Sequence, residues 1–169
     1  VHHGTVRINL SRNPEVIQSN HIVTAFDDDL RGISARIAEM GGLAEEQLGQ
    51  AIEAMQARDS ELASEVIESD KRLDRMEIEL ERTAIEVMAL RQPMANDLRE
   101  VVAALKIASA LERIGDLAKN IAKRTRVLSM NEPMKVTNSV TRMGKQVLSL
   151  TAEALDAYTA RDTALSVSV

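Results

Sequence analysis

The 169-residue sequence has no cysteine and no tryptophan, one phenylalanine (Phe26) and one tyrosine (Tyr158). Without cysteine there is no disulfide framework, no thiolate chemistry and no zinc finger, which fits a reducing compartment. Sheet cores draw on aromatic and β-branched side chains, so the near absence of rings argues against one. No apolar run reaches the 18 or so residues of a membrane span. Val1-His2-His3-Gly4 shows no charged region followed by an apolar core, so no signal peptide is expected. Basic charge is also short: 21 Lys and Arg against 26 Asp and Glu give a net charge of -5, contrary to the basic footprint of a nucleic-acid binder. A cytoplasmic protein is the default expectation.

What is present is a 44 % hydrophobic chain whose core residues are Leu, Ile, Val, Met and Ala, a composition suited to packed helices. The expected fold class is all-α. Residues 1–20 are polar and aperiodic and read as a flexible extension. Val6, Ile8 and Leu10 could form a short strand before Asn13-Pro14 breaks it. Phe26 followed by Asp27, Asp28 and Asp29 reads as a helix start, because acidic residues favour the first turn. Leu30, Ile33, Ile37, Met40, Ala44, Leu48 and Ile52 then recur in steps of three and four over about 27–57. Gly41 and Gly42 weaken this helix and invite close packing.

Asp59 reads as the N-cap of a second helix over about 60–90, stopped at Gln92-Pro93. A third runs from Met94 or Ala95 to about Leu128, with Lys119, Lys123, Arg124 and Arg126 assigned to its C-terminal dipole. A fourth spans about 136–161. The short connections predict antiparallel neighbours, an up-down-up bundle of the first three helices.

Ala57-Arg58-Asp59-Ser60 matches Ala160-Arg161-Asp162-Thr163 at an offset of 103 residues. The same offset pairs Ile37 with Val140, Met40 with Met143, Ala51 with Ala154, Ile52 with Leu155, Ala54 with Ala157 and Leu62 with Leu165. The fourth helix therefore reads as a second copy of the first. A repeat unit of that length implies tandem three-helix bundles rather than a small solenoid motif. The expected organisation is a 1–20 extension, a 21–130 three-helix repeat, and a 131–169 segment holding the first helix and start of the second helix of an incomplete second repeat. The fourth helix would then carry an apolar stripe needing cover from the first bundle or another copy of the chain.

Two carboxylate pairs stand out. Asp70 and Asp74 share a face of the second helix with Glu77. Glu112 and Asp116 share a face of the third helix with Asn120. Counted from the turn near residue 92, Asp74 lies about level with Glu112, and Asp70 about level with Asp116. Gathered carboxylates raise one another's pKa values unless cations intervene. An all-oxygen set suits Mg, Mn, Ca or Fe, with Zn as a further choice. The plainer reading pairs Asp70 and Asp74 with Lys71, Arg72 and Arg75, and Glu112 with Arg113, as solvated surface charge. Gly115 would let another helix or a ligand come close. The only histidines, His2, His3 and His21, precede the predicted helices, so the Glu-x-x-His chemistry of ferritin-like bundles is not expected. No phosphate loop and no nucleophilic triad is evident, so no catalytic or organic cofactor site is expected.

Arg91-Gln92-Pro93 followed by Asp97-Leu98-Arg99, Leu111-Glu112-Arg113-Ile114-Gly115-Asp116, Asn120-Ile121 and Asp70-x-x-x-Asp74 together resemble the PhoU family, regulators of bacterial phosphate-specific transport. The resemblance covers about residues 21–165 and implies a fold of two tandem three-helix bundles. It further implies a cytoplasmic, non-enzymatic and often dimeric adaptor that represses phosphate uptake and the phosphate-starvation response. Its implied partners are the phosphate transporter ATPase and a sensor histidine kinase. It also implies a metal cluster, commonly iron or zinc, at E(D)xxxD motifs. Here these fall on Asp70, Asp74, Glu112 and Asp116, with Glu77 and Asn120 as additional ligands. The motifs of the second repeat would lie past residue 169. Two other readings stay open: a metal-dependent enzyme on the same bundle, and a structural bundle that dimerises through the fourth helix.

Overall fold

The structure, a computed structural model, describes residues 14–91, 93–132 and 137–160. The described residues form four helices: α1 (Pro14–Ala57), α2 (Ser60–Arg91), α3 (Ala95–Leu128) and α4 (Thr137–Ala160). The fold is all-α. Helices α1, α2 and α3 pack against one another as an up-down-up bundle, and among the described residues α4 packs mainly on α1.

The bounds of α2, α3 and α4 agree with the sequence pattern; that of α1 does not. It begins at Pro14, not near Asp27, so His21 lies inside it. Proline suits a first helical turn because its missing N–H has no partner there anyway. The acidic run at 27–29 is helix interior held by arginines. Arg31 pairs with Asp28, and Arg91 at the end of α2 reaches Asp29 at 3.0 Å. The strand suggested at Val6–Leu10, and His2 and His3, lie outside the described residues.

The core divides into two apolar clusters. One gathers Ile33, Ile37, Met40, Leu73, Leu80, Val101 and Leu111; the other gathers Leu48, Ile52, Val66, Ala118 and Ala122. On α2 the change from one to the other falls between Val66 and Leu73, and on α3 between Leu111 and Ala118. Asp70 and Gly115 occupy those gaps, and Gln47 occupies the matching place on α1.

The far end of the bundle is tied by Arg58, in the α1–α2 turn. Its backbone is left-handed, with φ of 59°. Asp59 caps α2, its carboxylate accepting the backbone N–H groups of Glu61 and Leu62 at 2.8 and 3.0 Å. The Arg58 guanidinium donates to the carbonyls of Leu128 and Ser129 at 3.0 and 3.1 Å and also to that of Asn131. These acceptors close α3, whose last carbonyls have no partner within the helix.

The 103-residue offset reappears in the α1–α4 contact. A Cβ on Gly41 would stand 2.6 Å from Leu155 of α4, and one on Gly144 would stand 2.6 Å from Ile52 of α1. Gly144 is Gly41 plus the offset, and Leu155 is Ile52 plus the offset, so the two helices exchange the same contact. Met143, Val147 and Leu150 of α4 remain exposed. Val147 and Leu150, with Ile107, Leu111 and Ile114, border an apolar groove between α3 and α4.

Arg58 supports the bundle through its side chain while its backbone strains against it. A left-handed L-residue costs about 1–2 kcal/mol, and each hydrogen bond to a carbonyl contributes about 1 kcal/mol. Arg58→Ala keeps the strain and loses the clamp, so stability should fall by about 1–3 kcal/mol. Arg58→Gly should be less destabilised than Arg58→Ala by about 1 kcal/mol. Urea unfolding of the three proteins checks this order.

Candidate metal centre

The site is built around Asp70, which the apolar faces of all three bundle helices enclose. It is only 3 % exposed, at a position where an ionised carboxylate is costly without a partner. The partner is Lys119 of α3. Its ammonium donates to Asp70 Oδ2 at 2.5 Å and to Asp116 Oδ1 at 2.6 Å. Lys119 does not serve the α3 dipole as the sequence pattern suggested. It stands between the two carboxylates, and they push its pKa up from the ordinary 10.5.

Two neighbours complete the inner side. Gln47 of α1 is 1 % exposed; its amide donates to Ser69 Oγ at 3.2 Å. Ser69 in turn donates to the Val66 carbonyl at 3.0 Å. Gln47 Oε1 and Asp70 Oδ1 are buried and have no donor among the described residues. Both flank Gly115: a Cβ there would stand 2.9 Å from Gln47 Oε1, 3.7 Å from Asp70 Oδ1 and 2.5 Å from Leu73 Cδ2. The glycine therefore lets α1 and α2 approach α3 at the carboxylate layer.

The turn alignment read from the sequence holds: α2 and α3 bring Asp70 and Asp116 onto one lysine. Glu112 is half-buried, and its pKa is raised from the ordinary 4.5. Burial is the largest cause, followed by the charges of Asp116, Glu77, Asp74 and Asp70. Asp74 and Glu77 are half-buried on α2, and Asn120 is exposed. Two of the basic residues offered as surface partners turn elsewhere: Lys71 pairs with Glu68 at 2.7 Å and Arg72 with Glu39 at 2.9 Å. Among the described residues no three His, Asp or Glu side chains are arranged to hold an ion. Lys119 occupies the point between Asp70 and Asp116. What the layer does offer a hard cation is its donor chemistry: oxygen donors only, with Asp70 Oδ1 and Gln47 Oε1 buried without a donor, and the charges of Asp116, Glu77, Asp74 and Asp70 all bearing on Glu112.

The sequence profile of the PhoU domain matches residues 37–125, which span the whole carboxylate layer. This chain belongs to the PhoU family. It is 45 % identical over 152 residues to the phosphate-specific transport system accessory protein PhoU homolog of Caulobacter vibrioides, covering 89 % of this chain and 66 % of that protein. It is 36 % identical over 146 residues to the PhoU accessory protein of Escherichia coli K12, covering 85 % of this chain and 60 % of that protein. The chain thus spans less than two thirds of the length of these PhoU relatives. The crystal structure of PhoU from Pseudomonas aeruginosa superposes with a TM-score of 0.82 at 35 % identity, covering 85 % of this chain and 69 % of that one. The phosphate transport regulatory protein PhoU from Streptococcus pneumoniae gives 0.78 at 29 % identity, covering 85 % and 67 %.

Two consequences are measurable. Gly115→Ala gains helix propensity of about 1 kcal/mol, but its methyl meets the fully buried Leu73 and Gln47. The clash should win, with a net loss of about 1–3 kcal/mol in denaturant unfolding. Glu112 has a folded pKa above its unfolded value, so its proton favours the fold. That contribution is complete below the unfolded pKa near 4.5 and is lost as pH rises through the raised folded pKa. In the presence of a chelator, Glu112→Gln should therefore melt above wild type at neutral pH, with the difference closing below about pH 4.

Proposed function

We propose that this chain acts in bacterial phosphate homeostasis as a non-catalytic, cytoplasmic adaptor. In this reading it negatively regulates phosphate uptake and the phosphate-starvation response. Its partners are the ATPase of the phosphate transporter and a sensor histidine kinase, and it works as a homodimer. The observation that carries the reading is the 45 % identity to the Caulobacter accessory protein over 89 % of the chain. None of the described helices is long and apolar enough to cross a membrane, so contact with the membrane would run through the partners.

The carboxylate layer is the proposed metal site, with Asp70, Asp74, Glu77, Glu112, Asp116 and Asn120 as ligands. Iron or zinc is the family's expectation, and Mg, Mn or Ca suits the oxygen donors. The ion would serve a structural or regulatory role by neutralising carboxylates that α2 and α3 force together. Support comes from the buried acceptors on Asp70 and Gln47 and from the raised pKa of Glu112.

Elemental analysis of purified wild type and of Glu112→Ala/Asp116→Ala tests the site. Bound metal is expected in the first and only background metal in the second; equal content would reject these ligands. The adaptor role is tested by pull-down with the transporter ATPase and the sensor kinase, where binding to neither would reject it.

A further inference from the structure

We infer that α4 is a self-pairing helix: two copies of this chain join through their α4 helices, laid antiparallel and face to face. The inference rests on the homodimer reading above and names its surface. Three observations carry it. First, α4 has two apolar faces and uses one. Gly144 and Leu155 pack against Ile52 and Gly41 of α1, and Thr141 and Ala157 are buried. The other face is the stripe Val140, Met143, Val147, Leu150 and Ala154, open to solvent, with Met143 62 % exposed. Its steps of three and four residues are those of a coiled-coil seam. The 103-residue offset aligns the stripe with Ile37, Met40, Ala44, Gln47 and Ala51, which are all buried in the three-helix bundle. It is a surface of the kind that helices cover.

Second, α3 supplies a wall beside the stripe. Ile107, Ala110 and Ile114 line the groove there, and Leu117, 55 % exposed, continues their row. One helix laid on the stripe touches both walls. Third, the charge of α4 is complementary to itself. Its first half carries Arg142 and Lys145, its second half carries Glu153 and Asp156, and no acid precedes Glu153 in the helix. All four side chains are exposed. Arg142 and Glu153 are three turns apart, on the same flank of the stripe, and about 16 Å is too far for them to pair within one helix. A parallel copy would set like charge against like. An antiparallel copy sets the basic half of each helix against the acidic half of the other.

The register follows by counting. With the twofold axis between Leu148 and Ser149, Met143 meets the second copy's Ala154, and Val147 meets its Leu150. Each layer then sets a larger side chain against a smaller one. The same axis brings Arg142 to a height between the second copy's Glu153 and Asp156, and symmetry makes every contact twice. The apolar seam supplies the affinity, and the flanking charges select the antiparallel orientation.

Sedimentation equilibrium of the 169-residue chain measures the pairing in wild type, Leu150→Asp, Arg142→Glu, Glu153→Arg and the double swap Arg142→Glu/Glu153→Arg. These positions are exposed, so the bundle should stay folded, which circular dichroism checks. Wild type should dimerise, and Leu150→Asp should weaken the dimer about thirtyfold or more. Each single charge reversal should weaken it about tenfold, and the double swap should return to within about threefold of wild type. The chain has no cysteine, so introduced thiols report distance cleanly. A mixture of Met143→Cys and Ala154→Cys proteins should oxidise to a cross-linked dimer severalfold faster than either alone, because the antiparallel register brings those two positions together.

A dimer that survives Leu150→Asp, a double swap no better than the single reversals, or thiols that cross-link as well alone as mixed would overturn the α4 pairing and leave the homodimer standing on another surface. A wild type that stays monomeric up to about 0.1 mM would overturn both, and would assign the stripe to a different helical partner.

Discussion

The buried carboxylate of Asp70 is the constraint from which the rest of the bundle follows. An aspartate enclosed by three apolar helix faces has to be neutralised from within the protein. The neutralising charge comes from α3, and the donor must arrive at the right height. Lys119 does so only if α2 and α3 are antiparallel and in the observed register, because a shift of one turn would separate it from Asp70 by about 5 Å. The polar layer thus fixes an alignment that the two apolar clusters on either side would tolerate less strictly. Gly115 belongs to the same requirement. Without a side chain there, Gln47 and Leu73 close on α3, and the layer is sealed from solvent on its inner side.

This arrangement was partly legible in the sequence. Three helices announce themselves by stripes of apolar residues and by breaks at Asp59, Pro93 and the 131–133 segment, because those signals are local. The pairing of Asp70 with Asp116 could be read from the turn position, since antiparallel helices of constant rise make height a matter of counting. The start of α1 was obscured by Asp27, Asp28 and Asp29, which mimic a first turn. Their compensation comes partly from Arg91, 62 residues away, and no local pattern shows that. Lys119 was misassigned for a related reason. A basic residue late in a helix suits the dipole, whereas its actual partner is on another helix. Gln47 was hidden because the core pattern of α1 runs through Ala44, Leu48 and Ala51. The signal available was a long polar residue between two apolar ones, on the same face, level with Asp70.

Helix α1 links the site to the rest of the chain. One of its faces carries Gln47 into the carboxylate layer, and another carries Gly41 and Ile52 against α4. The reciprocal contacts of Gly41 with Leu155 and of Gly144 with Ile52 place equivalent positions of two similar helices against each other. Such an interface is self-complementary in the sense of a twofold dimer, here within one chain. Glycine at the crossing lets the two backbones approach, and the large residue at the other end of each contact fills the space opposite. Because the contact is repeated by the 103-residue offset, part of the sequence similarity of α1 and α4 has a direct structural meaning: the matching pairs Gly41/Gly144 and Ile52/Leu155 supply the residues that meet.

A comparison of alternatives bears on why the polar layer is there at all. Replacing a buried ion pair by apolar residues of similar volume is often neutral or stabilising. Asp70 and Lys119 could therefore be exchanged for leucine and methionine with no necessary loss of fold, joining the two apolar clusters into one. The surroundings are also more acidic than a pair demands. Burial first, and then the charges of Asp116, Glu77, Asp74 and Asp70, hold Glu112 above its ordinary pKa. Asp70 and Asp116 form one level, Asp74 and Glu112 lie about one turn nearer the α2–α3 connection and Glu77 nearer still, so this face carries five carboxylates where the ion pair needs two. Under the proposed metal site, the repulsion that burdens the protein beside one charge would become attraction beside two or three.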